Sequence, residues 1–352
     1  MSHKIWLMEG LSSQRDIING ITSTAKKHNY NVSIYASHRQ SRNEILSLAD
    51  HALIEPGDIN QRLEFILSTV KKYAIQAIHT GRHAHWFEAH RAAIEASGAR
   101  LTTGARDVAM LDLADDKVAF AHHMKSLNLP VVPSLRVDSP VQLRELIARK
   151  PFGDLPLCVK PVTGIYGMGF WQFDESVSPM AAFTHPDARR VKAEYYLQAL
   201  EAADSMEPLV LMPYLPGPEY SVDMLAENGK VLAAVARRKE GALQYLENSG
   251  EAFELAQACA AAMAADGLIN VQTRNDASGK PLLLEINMRP SGGIGYTRFS
   301  GVNLPGLFAL RQLGLISQQQ VIDDARRDFT PATVRALSDV VAYNPVLSNQ
   351  VQ

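Results

Sequence analysis

Over the first hundred positions, short apolar runs alternate with segments of helical period. Lys4 to Met8 reads as a strand, a polar turn leads to a helix near Ser13 to Lys27, and further strands follow at Val32 to Ala36 and Ala77 to Thr80. Strands alternating with helices predict a parallel, open sheet of the Rossmann type, in which ligands sit beyond the carboxyl ends of the strands, here Glu9 to Ser13 and Gly81 to His85. A helix over Asp115 to Leu127 then ends before Pro130 and Pro133, and Leu157 to Lys160 forms a strand entering a glycine-rich turn. Glu175 to Glu207 is polar, a mixture of helix and loop. From Leu209 the pattern becomes antiparallel, with strands at Leu209 to Met212, Tyr220 to Leu225, Val231 to Arg238, Leu268 to Arg274 and Leu282 to Asn287. The fold class expected is an α/β layer followed by an α+β region.

Composition narrows the function classes. In 352 residues, 46% hydrophobic and 20% charged with 35 basic against 37 acidic side chains, the net charge of -2 speaks for an ordinary globular protein without a polybasic nucleic-acid arm. No apolar run reaches the roughly 18 residues of a membrane span, and the first thirty residues hold no signal-peptide core. The Ala-rich stretch Ala256 to Ala265 is cut by Asp266 and reads as a core helix. Two cysteines, Cys158 and Cys259, far apart and in apolar surroundings, support neither a disulfide framework nor a zinc site, so a reducing, cytoplasmic setting is expected, with neither nucleic acid nor membrane as partner.

The densest chemistry lies in the hairpin closed around Ser278-Gly279. A symmetric register sets Gln272 opposite Glu285 and Asn270 opposite Asn287, and the two-residue period puts all four on one face, with Arg289 following. One carboxylate, three carboxamides and a guanidinium make either a solvated strand face or a hard-oxygen site for Mg²⁺ bridging nucleotide phosphates. Upstream, Lys160 leads into a loop with Gly164, Gly167 and Gly169, where backbone N–H groups can approach anionic oxygens beside a point charge. This is not a Walker loop, because the lysine precedes the glycines; it could also be a plain turn. The Asn228-Gly229 turn sets a second hairpin in which Glu219 faces Arg238, with Arg237 on the other face. That pair is either a cross-strand ion pair or a ribose-binding acid beside a phosphate-binding cation, and Arg238 is favoured over its neighbour. The first turn, Glu9 to Ser13, lacks the GxGxxG fingerprint of dinucleotide sites. His83 and His85 lack a third metal ligand and read as polar contacts or surface residues, and His122-His123 as solvated.

In their order, Asp116-Lys117, Val159-Lys160-Pro161 with its glycine loop, Leu215-Pro216-Gly217-Pro218-Glu219, and Gln272 through Glu285-Ile286-Asn287-Met288-Arg289 resemble the ATP-grasp superfamily. The likeness is greatest to short chains similar to the carbamoyl-phosphate synthase large subunit and to amino-acid ligases, and it covers Asp112 to Gly314. It implies a pre-ATP-grasp α/β domain over residues 1–111, an ATP-grasp domain over 112–316 with its nucleotide cleft between subdomains 112–208 and 209–316, and a tail over 317–352. It also implies roles: Lys117 and Lys160 on the nucleotide phosphates, the glycine loop as their cover, Met212, Pro213, Tyr214 and Leu215 as the adenine hinge, and Glu219 on the ribose. Glu285 and Asn287 match the metal pair for Mg²⁺ or Mn²⁺, with Gln272 where many members have an acid, and Arg289 matches the arginine near the transferred phosphate.

What the resemblance implies is ATP-dependent phosphorylation of a small-molecule carboxylate to an acylphosphate, which an amine then attacks, with Arg238 a candidate for steadying the acylphosphate. Carbamoyl-phosphate-synthase-like phosphorylation of bicarbonate or carbamate is one alternative, and a non-catalytic nucleotide-binding sensor or scaffold another. For the acid substrate, the turn Ser291-Gly292-Gly293 with Arg298, and Arg82 and Glu9 at the first sheet, are candidates; a homodimer fits the habit of the family.

Overall fold

The computed structural model describes residues 2–10, 13–164, 167–338 and 340. Ser12, the middle of the glycine loop at 165–166, and the chain end at 341–352 with Pro345 therefore lie outside the described residues. The chain forms two compact units. One comprises Met1–Leu111, Glu219–Gln272 and Ile286–Gln352, the other Asp112–Pro218 and Thr273–Glu285. No described helix is long and apolar enough to cross a membrane.

In the first unit, strands β1 (His3–Leu7), β2 (Val32–His38), β3 (His51–Ile54), β4 (Ala77–His79) and β5 (Arg100–Thr102) form an all-parallel sheet ordered β3-β2-β1-β4-β5. A parallel sheet must be covered on both faces, and β1 shows how the sequence does it. Ile5 and Leu7 pack with Ile17, Ile18 and Ile21 of helix Gln14–Lys27, while Trp6 and Met8 pack with Ile66 and Val70 of helix Ile59–Tyr73. Each such side chain, fully buried, contributes about 1.5–3 kcal/mol. The short β6 (Gly104–Ala105) follows the sheet.

The second unit holds β7 (Leu135–Val137), β8 (Leu157–Pro161), β9 (Trp171–Phe173), β10 (Arg190–Val191) and β11 (Leu209–Pro213), ordered β10-β9-β8-β11-β7. Its alternation is clean. Val159, Leu209 and Leu211 face a core shared with Leu143 and Leu197, whereas Cys158, Val210 and Met212 face a second cluster with Val118, Val162 and Leu215. The helix expected over Asp115 to Leu127 is present as Lys117–Ser126, and a further helix, Val108–Asp115, precedes it. Asp116 takes an extended conformation between them, and its carboxylate accepts from the N–H groups of Val118 and Ala119, capping the second helix.

The remaining strands, β12 (Glu219–Glu227), β13 (Lys230–Glu240), β14 (Leu243–Glu247), β15 (Ala265–Asn275), β16 (Pro281–Asn287) and β17 (Ala332–Arg335), make a sheet ordered β16-β15-β12-β13-β14-β17, with β6 on β15. Helix Glu251–Ala262 lies against β12 and β13. The last strand, β17, pairs antiparallel with β14, and helix Gln318–Asp328 buries Val321, so these parts of the expected tail pack on the core.

The register expected between β12 and β13 holds only beside the turn. Glu227 pairs with Lys230 and Ala226 with Val231, but Leu225 pairs with Ala233, so a β-bulge at Leu232 shifts every later partner by one. Glu219 therefore pairs with Lys239, and Arg238 with Tyr220. The expected Glu219–Arg238 pair is corrected accordingly.

Candidate functional site

Within the second unit, Lys160 is on β8 with Cys158 and so shares its face with Val210 and Met212. Its Nζ lies 3.0 Å from Oε2 of Glu285, both side chains being largely buried. Lys117, first residue of the helix that Asp116 caps, is also buried, and its ammonium donates to the carbonyls of Val162 (3.1 Å) and Gly164 (3.3 Å). Burial lowers the Lys117 pKa and the nearby Lys160 adds to this, while Glu285 acts against them. Two lysines and one carboxylate thus converge beside an apolar floor that includes Met212 and Leu215. Both cysteines are buried, and burial pushes the Cys158 thiol up to about 12, which leaves it protonated and unreactive.

The glycine loop begins one residue after Thr163. Gly164, Gly167 and Gly169 all have positive φ, and at Gly169 (φ +72°) a Cβ would come within 2.8 Å of the Pro161 ring. Glycine is required there both by conformation and by space. Arg189 donates to the carbonyl of Gly167. In the hinge candidate, Met212 is buried and its carbonyl is 3.6 Å from the Cys158 thiol, Pro213 pairs with Leu157, and the N–H of Tyr214 donates to Pro156 O at 2.6 Å. The Tyr214 ring packs under Arg274, whose guanidinium also reaches its hydroxyl at 3.1 Å.

In the first unit, the bulge decides which side chains meet. Lys239 donates to Glu219 at 2.5 Å. Arg237, only 3% exposed, donates to Asp223 (2.8 Å), Ser221 (2.9 Å), Gln244 (2.8 Å) and Ser291 (2.8 Å). Asn270 donates to Ser221 and Asp223, both at 3.0 Å, and its own Oδ1 is buried without a hydrogen-bond partner. The row expected to carry the carboxamides is thus partly a buried polar network with Arg237 at its centre, and Gln272, two residues on from Asn270, shares its face. Arg238 points to the opposite face of β13, where it pairs with Glu247 at 2.8 Å and with Glu240, and stacks on Tyr245. Arg237, Asp223 and Lys239 were missed because a one-residue register error turns the wrong neighbour toward the row.

Asn287 accepts from Arg289 at 3.0 Å. In the following turn, Ser291 also accepts from the N–H of Gly293, and a Cβ on Gly293 would lie 2.5 Å from the Arg237 guanidinium, so glycine allows the close approach. Gly292 is exposed. Arg298 is exposed too, with its guanidinium over Phe299, and lines a depression of about 340 Å³ whose lining includes neither Ser291 nor Arg289. Glu9, at the end of β1, is 5% exposed and clamped by Arg39 (Nε–Oε2 2.5 Å, Nη2–Oε1 3.1 Å), with Arg82 at 3.8 Å. Burial opposes ionisation of Glu9, but Arg39, His38 and Arg82 outweigh it and hold the carboxyl below its usual range.

Among the described residues, no three His, Cys, Asp or Glu side chains are grouped to hold a metal ion. The donors that β15 and β16 offer are oxygens of one carboxylate and two carboxamides, from Glu285, Asn287 and Gln272. That donor chemistry fits a hard cation such as Mg²⁺ and not a soft one.

Compared with known proteins, residues 205–339 match the family described as "ATP-grasp in the biosynthetic pathway with Ter operon". The solved structures it resembles include N5-carboxyaminoimidazole synthase from Aspergillus clavatus in complex with ADP and 5-aminoimidazole ribonucleotide, at 16% identity and a TM-score of 0.64 over 91% of this chain and 79% of that one. Others are the L-amino acid ligase from Bacillus licheniformis (15%, TM-score 0.59, 88% and 74%) and biotin carboxylase from Campylobacter jejuni (15%, TM-score 0.62, 90% and 72%). This chain has an ATP-grasp fold. The ATP-grasp likeness runs through both the N-terminal parallel sheet and the later antiparallel one, since these matches span about nine-tenths of the chain. A search of the curated proteins finds no match to the sequence.

Proposed function

We propose that this ATP-grasp protein is an ADP-forming carboxylate–amine ligase acting on small molecules. The observation that carries the reading is the convergence of Lys117, Lys160 and Glu285 beside the apolar face of Cys158, Val210, Met212 and Leu215 in one compact unit. Paired ammonium groups next to an apolar floor suit a nucleotide, with phosphates on the lysines and the base on Met212 and Leu215. Glu285 is the counter-ion of Lys160. Glu285 and Asn287, with Gln272, would hold Mg²⁺, which supplies neutralisation of charge on the phosphate oxygens. Asn287, by accepting from Arg289, orients that guanidinium.

In the proposed reaction a carboxylate oxygen attacks the γ-phosphorus and the bond to the β-phosphate oxygen breaks, releasing ADP. The amine nitrogen then attacks the acyl carbon, the carbon–oxygen bond to phosphate breaks, and one proton is released with inorganic phosphate. Lys160 and Arg289 counter the developing negative charge, and no enzyme nucleophile takes part. Arg237 holds the Ser291 turn in place through its two hydrogen-bonded ends at Asp223 and Ser291, a positioning role distinct from the acylphosphate contact expected of Arg238. The small-molecule partners are an acid and an amine, and a reducing, cytoplasmic setting and a homodimer accord with the reading. The test is ADP release from Mg·ATP against pooled carboxylic acids, amino acids and bicarbonate, each with and without ammonia or amines. Release that needs an acid and an amine together is expected. Release with bicarbonate alone would move the assignment to carboxyphosphate chemistry, and nucleotide binding without turnover in any pool would make the protein a sensor.

A further inference from the structure

Helix Ile59–Tyr73 turns four residues inward, Arg62, Ile66, Thr69 and Val70, so a guanidinium occupies a core position. Arg62 is 3% exposed, lies 5.3 Å from the centroid of the Trp86 ring, and its Nε and Nη1 have no hydrogen-bond partner. A ring face offsets only part of the cost of burying a cation, and buried charges in folded proteins are otherwise met by acceptors. Arg62 is not isolated. It acts electrostatically on Glu55 and on His83, and His83 feels Arg39, Glu9 and Arg82 as well. These groups all stand at or just beyond the carboxyl ends of β1 to β4.

The local acids do not balance the cations. Glu9 is committed to Arg39, and the carboxylate of Glu55 accepts from the N–H of Glu9 and the hydroxyl of Ser37, both at 2.7 Å. Burial also pushes Glu55 toward its neutral form. Three guanidinium groups thus stand among two carboxylates, and two of them, Arg39 and Arg82, reach solvent with side chains 35% and 42% exposed. His38 adds a donor: its Nδ1 accepts from the N–H of Gln40, which leaves the proton on Nε2, 3.7 Å from Glu9.

The site is also placed for the chemistry proposed above. A Cβ on Gly81 would lie 2.3 Å from the Cα of Gly10, so the Glu9-Gly10 and Gly81-Arg82 turns abut. Gly10, Gly81 and Arg289 line one small cavity. Resting on the ligase reading, we propose that Arg39 and Arg82, which flank Glu9, together with Arg62 beside His83, bind an anionic group, carboxylate or phosphate, that the non-nucleotide substrate carries away from its reacting atom. A substrate anchored at Arg82 extends past Gly81 toward Arg289. The substrate class is therefore an acid or amine with a second, negatively charged end.

The experiment uses the full chain with Mg·ADP present to fill the nucleotide site, and follows thermal unfolding while succinate or glycerol 3-phosphate is added, against sodium chloride at equal ionic strength. A stabilisation specific to one of the two is expected, and which one responds separates carboxylate from phosphate. Arg82→Gln, at an exposed position, should weaken the apparent affinity for that anion about tenfold or more, the loss of a charge-assisted hydrogen bond, while the Mg·ADP response persists; Arg62→Gln should do the same. Stabilisation that survives in both variants overturns the assignment, as does the absence of any anion response beyond chloride in a protein that responds to Mg·ADP. Loss of the Mg·ADP response in the wild type would instead count against the nucleotide reading, and the anion titrations would still judge this site.

Discussion

His79 closes β4 with its ring fully enclosed, edge-on to Phe308 at 5.0 Å, and with neither ring nitrogen hydrogen-bonded. Burial lowers its pKa from 6.5 to about 4. The folded imidazole therefore stays neutral while the unfolded one takes up a proton, so its titration costs no stability above the unfolded pKa and withdraws stability as pH falls from 6.5 toward 4. The full shift corresponds to about 3 kcal/mol, of which about 2 kcal/mol is already lost by pH 5. His79→Leu keeps the ring's apolar contacts and removes the titration. At pH 7.5 the variant should be no less stable than wild type, because an unpaired buried polar group costs about 1–3 kcal/mol. Between pH 7.5 and 5.0 the wild type should lose about 2 kcal/mol more than the variant. Urea unfolding followed by tryptophan fluorescence measures this, since Trp6 and Trp86 sit in the same unit as His79. Equal losses in the two proteins, or an imidazole resonance in the wild type titrating near 6.5, would refute the argument.

Other outcomes follow from the same geometry. Lys160→Met should weaken Mg·ADP binding about 10- to 100-fold, the scale of one hydrogen bond to a charged group, and calorimetric titration checks it. Glu285→Gln should chiefly reduce the benefit of Mg²⁺, so that ADP affinities with and without EDTA draw together; an unchanged ratio would remove Glu285 from the metal. Arg237→Met strands Asp223, which has no exposed surface, and should cost about 3–5 kcal/mol; adding Asp223→Asn should recover part of it in denaturant melts. At Gly104, φ is +107° and a Cβ would sit 1.8 Å from the carbonyl oxygen of Met288. Gly104→Ala should therefore destabilise by more than about 3 kcal/mol, visible as a drop in melting temperature.

The elements that sequence alone made legible are those with strong local periodicity. β1, β2, β4, β8, β11 and helix Gln14–Lys27 stand within a residue or two of expectation, because apolar period and turn residues act over a few positions. Short strands such as β9, β10 and β17 carry too few alternating residues to show, and exist because a neighbour supplies their hydrogen bonds. The break at Asp116 was within reach, since an Asp ahead of a lysine and an apolar run is a capping signal. Arg62 left a trace as well, a charge at helical spacing from the core positions Ile66, Thr69 and Val70.

What the sequence by itself determined is the order of the chemical pieces, from Lys117 and Lys160 to Glu285, Asn287 and Arg289, and the two-residue alternation that places Lys160 on the face of Cys158, Val210 and Met212. What only the tertiary structure decided is which of them meet. Whether Arg237 or Arg238 joins Asp223 turns on a single bulged residue, Leu232, and a one-residue slip in a strand reverses every side chain beyond it. Likewise Glu9, Arg39, Arg62 and Arg82 lie far apart in sequence and gather only because a parallel sheet delivers all of its strand ends to one edge. Local rules set the faces of strands and helices, but the encounter of those faces depends on register and chain crossing, which no local pattern encodes.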